Sequence, residues 1–381
     1  MPKNSARPKV AMYGLTTEGY ALAAKFVERA DVTVVDETLQ MALELNSAFL
    51  KKNQNLEELM GSEPLMSFKP IEQVLSDSQI IFFTPKLRRP SDESLIEASS
   101  KLRDLSKYIV KGSVLVNTLP TGPGGNAENI MVIEKQTGLG IGDTLAYAYV
   151  PLRAGSTDAQ TVAYAGAGEE NPLEILGFKP NAQNIFAAEL AYASSVLIQA
   201  VGMATEVELM KRAREARVKF LGRGEAFYFD ELAQHVHELR AVQSSEEAGE
   251  SITYLAGAAL KSVENYVRYV VDETREMLKE MELKASRTKV LILWTLDRYE
   301  MRGDRLQLAE SISTRLKDYV TDVVVHSGAK LAGGSDIFDS QKHNVAVVCS
   351  KRDYEGVREA RKGQRGFELS LLQATADLRR E

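Results

Sequence analysis

The stretch from Lys9 to Asp36 constrains the fold more than any other part of the chain. Lys9-Val-Ala-Met-Tyr13 is a short apolar run of strand type, and Gly14-Leu-Thr-Thr-Glu-Gly19 is a turn. Residues 20–29 carry helical spacing, and Asp31-Val-Thr-Val-Val-Asp36 is a second strand ending in an acid. Strand, tight turn, helix and acid-terminated strand form the layout of a dinucleotide-binding βαβ unit. Gly14 permits the sharp turn, and Gly19 lets the helix approach the sheet. The helix N-terminus offers N–H groups and a positive dipole end to a pyrophosphate. Asp36 lies about 20 residues past the first glycine, where an acid accepts hydrogen bonds from a ribose diol and favours NAD over NADP. Thr16 replaces the middle glycine of G-x-G-x-x-G, so a side chain stands where backbone should meet phosphate.

The remaining pattern extends this unit into an α/β protein. Residues 38–59 repeat apolar positions at helical spacing (Met41, Leu43, Leu45, Phe49). Strands are expected at 79–84, 113–118, 146–150 and 161–164, with a helix at 93–105 and a Gly/Pro-rich loop at 119–125. Alternation of strands and helices argues for a parallel sheet covered on both faces. Residues 184–217 read as one long apolar helix, buried in a core or at a subunit contact, with a solvated basic end at 211–219. Two helices follow within 228–282, separated by a polar segment at 243–251 expected to be a mobile loop. A third part opens with a strand at 289–294, continues with a helix at 305–316 and strands at 322–326 and 344–349, and is expected to close with a helix at 367–380. The expected architecture is an N-terminal Rossmann-like doubly wound domain (1–180), a central long-helix segment (181–286) and a smaller C-terminal Rossmann-like α/β domain (287–381).

Composition narrows the function classes. A chain of 381 residues with 44% hydrophobic and 26% charged residues is ordinary for a globular protein. A formal net charge of −6 disfavours a nucleic-acid partner. The single cysteine, Cys349, ends an apolar run and reads as a buried strand residue. One cysteine forms no intrachain disulfide and fits a reducing cytoplasm. The polar start shows no signal peptide, and no apolar run looks long enough to span a bilayer.

Five stretches together resemble the UDP-glucose/GDP-mannose dehydrogenase family. They are residues 10–24 with Asp36, Phe83-Thr-Pro-Lys86, Val116-Asn-Thr-Leu-Pro-Thr-Gly122, residues 188–209, and residues 294–304. The resemblance implies an N-terminal NAD-binding domain and a C-terminal UDP-binding-like α/β domain joined by a dimerising central helix, and a nucleotide-sugar substrate. It places the cofactor on Gly14, Leu15, Thr16, Thr17, Gly19, Asp36, Thr84, Pro85, Asn117 and Thr118. Thr118 is also the one candidate catalytic residue. Arg153 and Arg302 are candidate contacts for substrate phosphate.

The same resemblance exposes departures. The family's covalent step needs a cysteine in Gly-Gly-x-Cys-x-Pro-Lys-Asp. The corresponding region reads Gly222-Arg-Gly-Glu-Ala-Phe-Tyr-Phe-Asp230. Tyr192 and Val196 replace the central helix's Lys and Asn, Val150 and Ala154 replace two glutamates, and Thr295 replaces a lysine. A four-electron oxidation through a thioester is therefore not expected. His235-Val-His237-Glu238 reads as a surface helix rather than a metal site, because positions two apart diverge on a helix. Gly122-Pro-Gly-Gly125 lacks the Lys-Ser/Thr of a P-loop, and 328–334 reads as a turn. Two readings stay open: an NAD-linked two-electron oxidoreductase acting on a CH–OH group, and a non-catalytic dinucleotide- or nucleotide-sugar-binding scaffold.

Overall fold

The structure, a computed structural model, describes residues 7–37, 70–167, 171–219, 227–326, 337–363 and 367–381. Expectations for 38–59, for most of 222–230 and for 328–334 lie outside the described residues. The chain divides into two compact units. One comprises Met1–Ser194, Ser244–Gly249 and Tyr299–Arg302; the other comprises Ser195–Gln243, Glu250–Arg298 and Gly303–Glu381.

The first unit is built on β1 (Lys9–Tyr13), β2 (Asp31–Val35), β3 (Ile80–Phe83), β4 (Val114–Asn117), β5 (Ala146–Tyr149) and β6 (Ala163–Ala165). Their order in the sheet is β2-β1-β3-β4-β5-β6, parallel except for β6. Helices α1 (Thr17–Phe26), α2 (Ile71–Asp77), α3 (Glu93–Ser106) and α4 (Gly125–Thr137) cover it. Strand alternation sends Val10 and Met12 to one core and Ala11 and Tyr13 to another, so both faces are buried. On the first face Phe26, Phe82 and Phe178 meet with centroids 5.2–6.0 Å apart. Each such ring adds about 1.5–3 kcal/mol on burial.

The second unit carries β7 (Thr288–Leu293), β8 (Asp322–His326), β9 (His343–Val348), β10 (Leu369–Gln373) and β11 (Arg379–Arg380), ordered β11-β10-β9-β7-β8. Helix α5 (Ile185–Glu215) begins in the first unit's sequence and ends in the second's. It is followed by α6 (Phe229–Ala233), α7 (Val236–Gln243), α8 (Glu250–Glu280), α9 (Asp304–Leu316) and α10 (Lys351–Gly363). Val263, Tyr266, Val267 and Val270 recur at helical spacing along α8 and pack into the core that holds Val290 and Ile292 of β7.

Several expectations change. The closing helix at 367–380 is instead β10 and β11. Leu371 and Leu372 are fully buried on opposite faces, and Leu369–Gln373 pairs parallel with β9. That parallel pairing demands a crossover, which α10 supplies one element earlier. Both α4 and α10 escaped the sequence reading, α4 because its large apolar residues form one run, Ile130–Ile133, instead of recurring at helical spacing, and α10 because its apolar residues are sparse. The 243–251 loop is held rather than mobile: Ser245 Oγ donates to Pro123 O and accepts from Ala248 N–H. His235 and His237 are buried rather than on a surface helix, at 4% and 1% exposure. The impression that no apolar run is long enough for a bilayer also changes. By length and composition alone, α5 is long enough, although Glu189 lies within it and a third of its most apolar window is buried in protein.

Candidate functional site

Strand order reverses between β1 and β3, and ligands of open α/β sheets bind at such a switch point, beyond the carboxyl ends of the strands. The loops after β1 and β3 form the two lips of that crevice. Gly14 turns the chain at φ +117°, and a Cβ there would lie 2.0 Å from Thr84 O. At Gly19 a Cβ would lie 2.6 Å from Thr84 Oγ1. Both glycines are therefore required by close approach of the β3 lip. Thr84 Oγ1 donates to Tyr13 O at 3.1 Å, and Pro85 follows it on the same lip.

Thr16 is the N-cap of α1. Its Oγ1 accepts from Gly19 N–H at 3.1 Å and donates to Thr84 O at 3.3 Å. Asp36 accepts the Leu15 N–H at 2.9 Å. Thr17 N–H, the first of the helix, donates to Tyr299 O at 2.8 Å. The amides of Leu15, Thr17 and Gly19 are thus already bonded within the chain. These are the donors that a pyrophosphate at this helix end would use.

The segment Tyr299–Arg302 belongs to the first unit although its neighbours on both sides belong to the second. It reaches both lips. Besides the Thr17 bond, Met301 O accepts Leu87 N–H at 2.7 Å, and Arg88 Nη2 donates to Glu300 O at 2.8 Å. Lys86 Nζ lies 4.7 Å from the centre of the Tyr299 ring. Met301 is fully buried in the core formed by Val10, Met12, Leu22 and Val116. Glu18, 1% exposed in the first turn of α1, accepts Met301 N–H and Gly155 N–H, each at 3.0 Å.

Deeper along the β4 edge, Thr118 is fully buried. Its hydroxyl donates to Phe83 O at 2.7 Å and lies 3.7 Å from Met301 Sδ. Asn117 Nδ2 donates to Asn126 Oδ1 at 3.0 Å, and its Oδ1 accepts Leu119 N–H. Tyr147 also donates to Asn126 Oδ1, at 2.6 Å. Burial pushes the Tyr147 phenol above its ordinary range, so it remains a donor. Burial, reinforced by Glu37, does the same to Tyr13. Arg302 is 3% exposed and donates to Leu152 O at 3.1 Å, whereas Arg153 donates to Gln160 Oε1 at 2.9 Å. Tyr192 and Val196 are both buried.

The second unit has its own switch point, between β7 and β9. There Asp353, in the first turn of α10, accepts the Thr295 N–H at 2.9 Å and both the Thr295 and Ser350 hydroxyls. Trp294 Nε1 and Arg305 Nη1 converge on Asp230 Oδ1 at 2.6 and 2.8 Å. Among the described residues no cluster of three His, Cys, Asp or Glu side chains could hold a metal.

The structure therefore gathers Gly14, Leu15, Thr16, Thr17, Gly19, Asp36, Thr84, Pro85 and Thr118 around one crevice and brings Arg302 in with the segment across it. Sequence reading missed Met301 and the partners of Glu18. An acid in the first helical turn was a visible signal for Glu18, as was a threonine suited to an N-cap for Thr16. Met301 carries no local signal, because its place depends on contacts nearly 300 positions away. In this conformation the crevice does not present free amides to a dinucleotide's phosphates, since those of Leu15, Thr17 and Gly19 are bonded within the chain.

Neither a protein-family model nor a curated protein matches this sequence. Solved structures do. A UDP-glucose dehydrogenase from Pyrobaculum islandicum aligns over 99% of this chain and 96% of its own, with TM-score 0.60 and 15% identity. A UDP-D-ManNAc dehydrogenase from Pyrococcus horikoshii aligns over 90% and 89%, with TM-score 0.57 and 15% identity. A UDP-N-acetyl-mannosamine dehydrogenase from Staphylococcus aureus aligns over 90% and 88%, with TM-score 0.55 and 14% identity. The chain thus has a nucleotide-sugar dehydrogenase-like fold, with two Rossmann-like units and a long central helix.

Proposed function

We propose that this protein uses the nucleotide-sugar dehydrogenase scaffold without its thiol-dependent chemistry, as a non-catalytic dinucleotide-binding or assembly protein. NAD is the ligand class to which the first unit's architecture belongs. One observation carries the reading: the polar groups named at the crevice are committed to the chain itself. Thr118 is spent on Phe83 O, Asp36 accepts Leu15 N–H, and Glu18 accepts two backbone amides. A general base must reach the proton it removes, and none of these carboxylates is directed at an incoming ligand. The reactive-thiol position has no counterpart, since Cys349 is buried and its thiol is pushed well above the ordinary range by burial.

A second reading, an NAD-linked two-electron oxidoreductase acting on a CH–OH group of a small molecule such as a nucleotide sugar, is favoured by the retained Gly14, Gly19 and Asp36. The two readings separate in one assay. NAD is mixed with UDP-glucose, UDP-N-acetylmannosamine and simple alcohols, and absorbance at the NADH band is followed. The non-catalytic reading expects no change above the protein-free rate. Protein-dependent NADH formation from any of these substrates overturns it.

Self-association is assigned to α5. Phe186, Leu190, Ile198 and Leu209 are exposed on this helix at 43%, 41%, 74% and 47% and recur at helical spacing. A cytoplasmic setting fits the single reduced thiol.

A further inference from the structure

We infer that Tyr299–Arg302 is an intramolecular strap that closes the dinucleotide crevice of the first unit, with Glu18 as the resident anion in place of a phosphate. The inference deepens the proposed dinucleotide-binding role and rests on it. A pyrophosphate at the start of α1 needs the amide of Thr17, and the strap's Tyr299 carbonyl already holds that donor. It also needs space beside Gly14 and Gly19, and Met301 is fully buried in the same core as Met12 and Leu22 while its carbonyl accepts Leu87 N–H. Finally it brings negative charge beside Glu18, a carboxylate held by Met301 N–H and Gly155 N–H in a nearly water-free position. Two of these obstacles share the strap: its departure frees the Thr17 amide and removes one of the two donors that fix Glu18.

The strap is held through backbone groups and through side chains, among them the Arg88 clamp donating to Glu300 O, Arg302 donating to Leu152 O, Glu18 accepting Met301 N–H and Lys86 over the Tyr299 ring. The four-residue strap is also linked at both ends to chain of the second unit. Strap opening and dinucleotide entry are therefore one coupled equilibrium. Apparent affinity equals the intrinsic affinity multiplied by the fraction of molecules with the strap open. Loosening the clamp raises that fraction and tightens binding without adding any contact to the ligand.

The test uses the full-length protein, NADH as the probe, and two strap variants, Arg88→Ala and Met301→Ala. Calorimetry gives the dissociation constants, and hydrogen exchange follows the amides of Thr17, Leu87 and Met301. Circular dichroism confirms folding, and Arg88→Ala serves where Met301→Ala fails to fold. The expected result is weak NADH binding by the unmodified protein, about tenfold tighter binding by Arg88→Ala, the scale of one charge-assisted hydrogen bond, and faster exchange at Leu87 and Met301 on saturation. Three results overturn the strap: variants that bind no tighter than the parent, no binding by any of them at millimolar NADH, or tight parental binding with the Leu87 and Met301 amides still protected. Catalytic turnover is a separate readout. It overturns the non-catalytic reading while leaving the strap standing, and loss of the strap leaves the turnover result untouched.

Discussion

Glu189 offers the sharpest test of how the first unit is held together. The carboxylate is 1% exposed, near the start of α5, and faces the N-terminus of α4. Its Oε1 accepts from Thr121 Oγ1 at 3.1 Å, Asn126 N–H at 2.7 Å and Asn126 Nδ2 at 2.8 Å, while Oε2 accepts Gly124 N–H at 2.8 Å. Gly124, the N-cap of α4, has no side chain of its own, so a distant residue performs the capping. Glu189→Gln keeps the shape but turns one oxygen into a donor that faces another N–H. It also removes the charge that complements the α4 dipole. Hydrogen bonds to a charged group contribute about 1.5–3 kcal/mol, and a favourable dipole contact about 1 kcal/mol. The expected loss is therefore about 3 kcal/mol, or a melting shift of about 6–12 °C for a unit of this size. Glu189→Ala, which strands all four donors, should cost about 4–5 kcal/mol. Urea denaturation of both variants reads these values as a lower midpoint at unchanged slope, and exchange at Gly124 and Asn126 should accelerate first. A Glu189→Gln midpoint within about 0.5 kcal/mol of the parent would refute the capping argument.

Gly14→Ala forces a Cβ to within 2.0 Å of Thr84 O at a positive φ, and should cost about 2–3 kcal/mol or more, read as lost soluble yield or a lowered midpoint. Cys349 should resist a thiol-reactive dye in the native protein and react only on unfolding. Its folded thiol is pushed up by burial, so its contribution to stability is full below the unfolded thiol's pKa of about 8.5 and falls as pH rises above it. Native labelling at neutral pH would show that the site is not sealed. Ile198→Glu, at a 74% exposed position, should leave folding intact and convert an associated form to monomer by light scattering; an unchanged mass removes α5 as the interface.

The strands were legible because their apolar runs are bounded by Gly, Pro or charged residues. The span Lys9–Tyr13 was expected residue for residue, and β3, β4 and β5 fall inside the expected runs. The long helix α5 was legible from its density of Ala and Leu. The C-terminal strand β10 was not, because Leu369-Ser-Leu-Leu-Gln373 is buried on both faces and loses the alternation that marks a half-exposed strand. At the crevice, the glycines and Asp36 could be placed from spacing alone. Their partners could not: Glu18 meets Met301, Glu189 meets Gly124, and Thr295 meets Asp353 across long sequence separations. Substituted positions showed where the site departs from its fold, but only three-dimensional pairing showed what replaced the missing groups.

Those replacements follow one physical rule in both units. A helix that starts at a switch point leaves amide donors and a positive dipole end that a bound phosphate normally satisfies. Here a first-turn carboxylate supplies the negative charge instead, Glu18 in α1 and Asp353 in α10. Glu18 accepts the Met301 and Gly155 amides, and Asp353 accepts the Thr295 amide and the Thr295 and Ser350 hydroxyls. The same bonds set the cost of admitting a ligand. Among the bonds that opening the strap breaks are Thr17–Tyr299, Leu87–Met301, Met301–Glu18 and Arg88–Glu300. At about 1 kcal/mol net each, these come to about 4 kcal/mol, or roughly a thousandfold in affinity. A dinucleotide that would bind an open crevice at micromolar concentration is thereby moved to about a millimolar. At that level occupancy follows the strap's equilibrium rather than the crevice's chemistry, so whatever biases the strap controls the site.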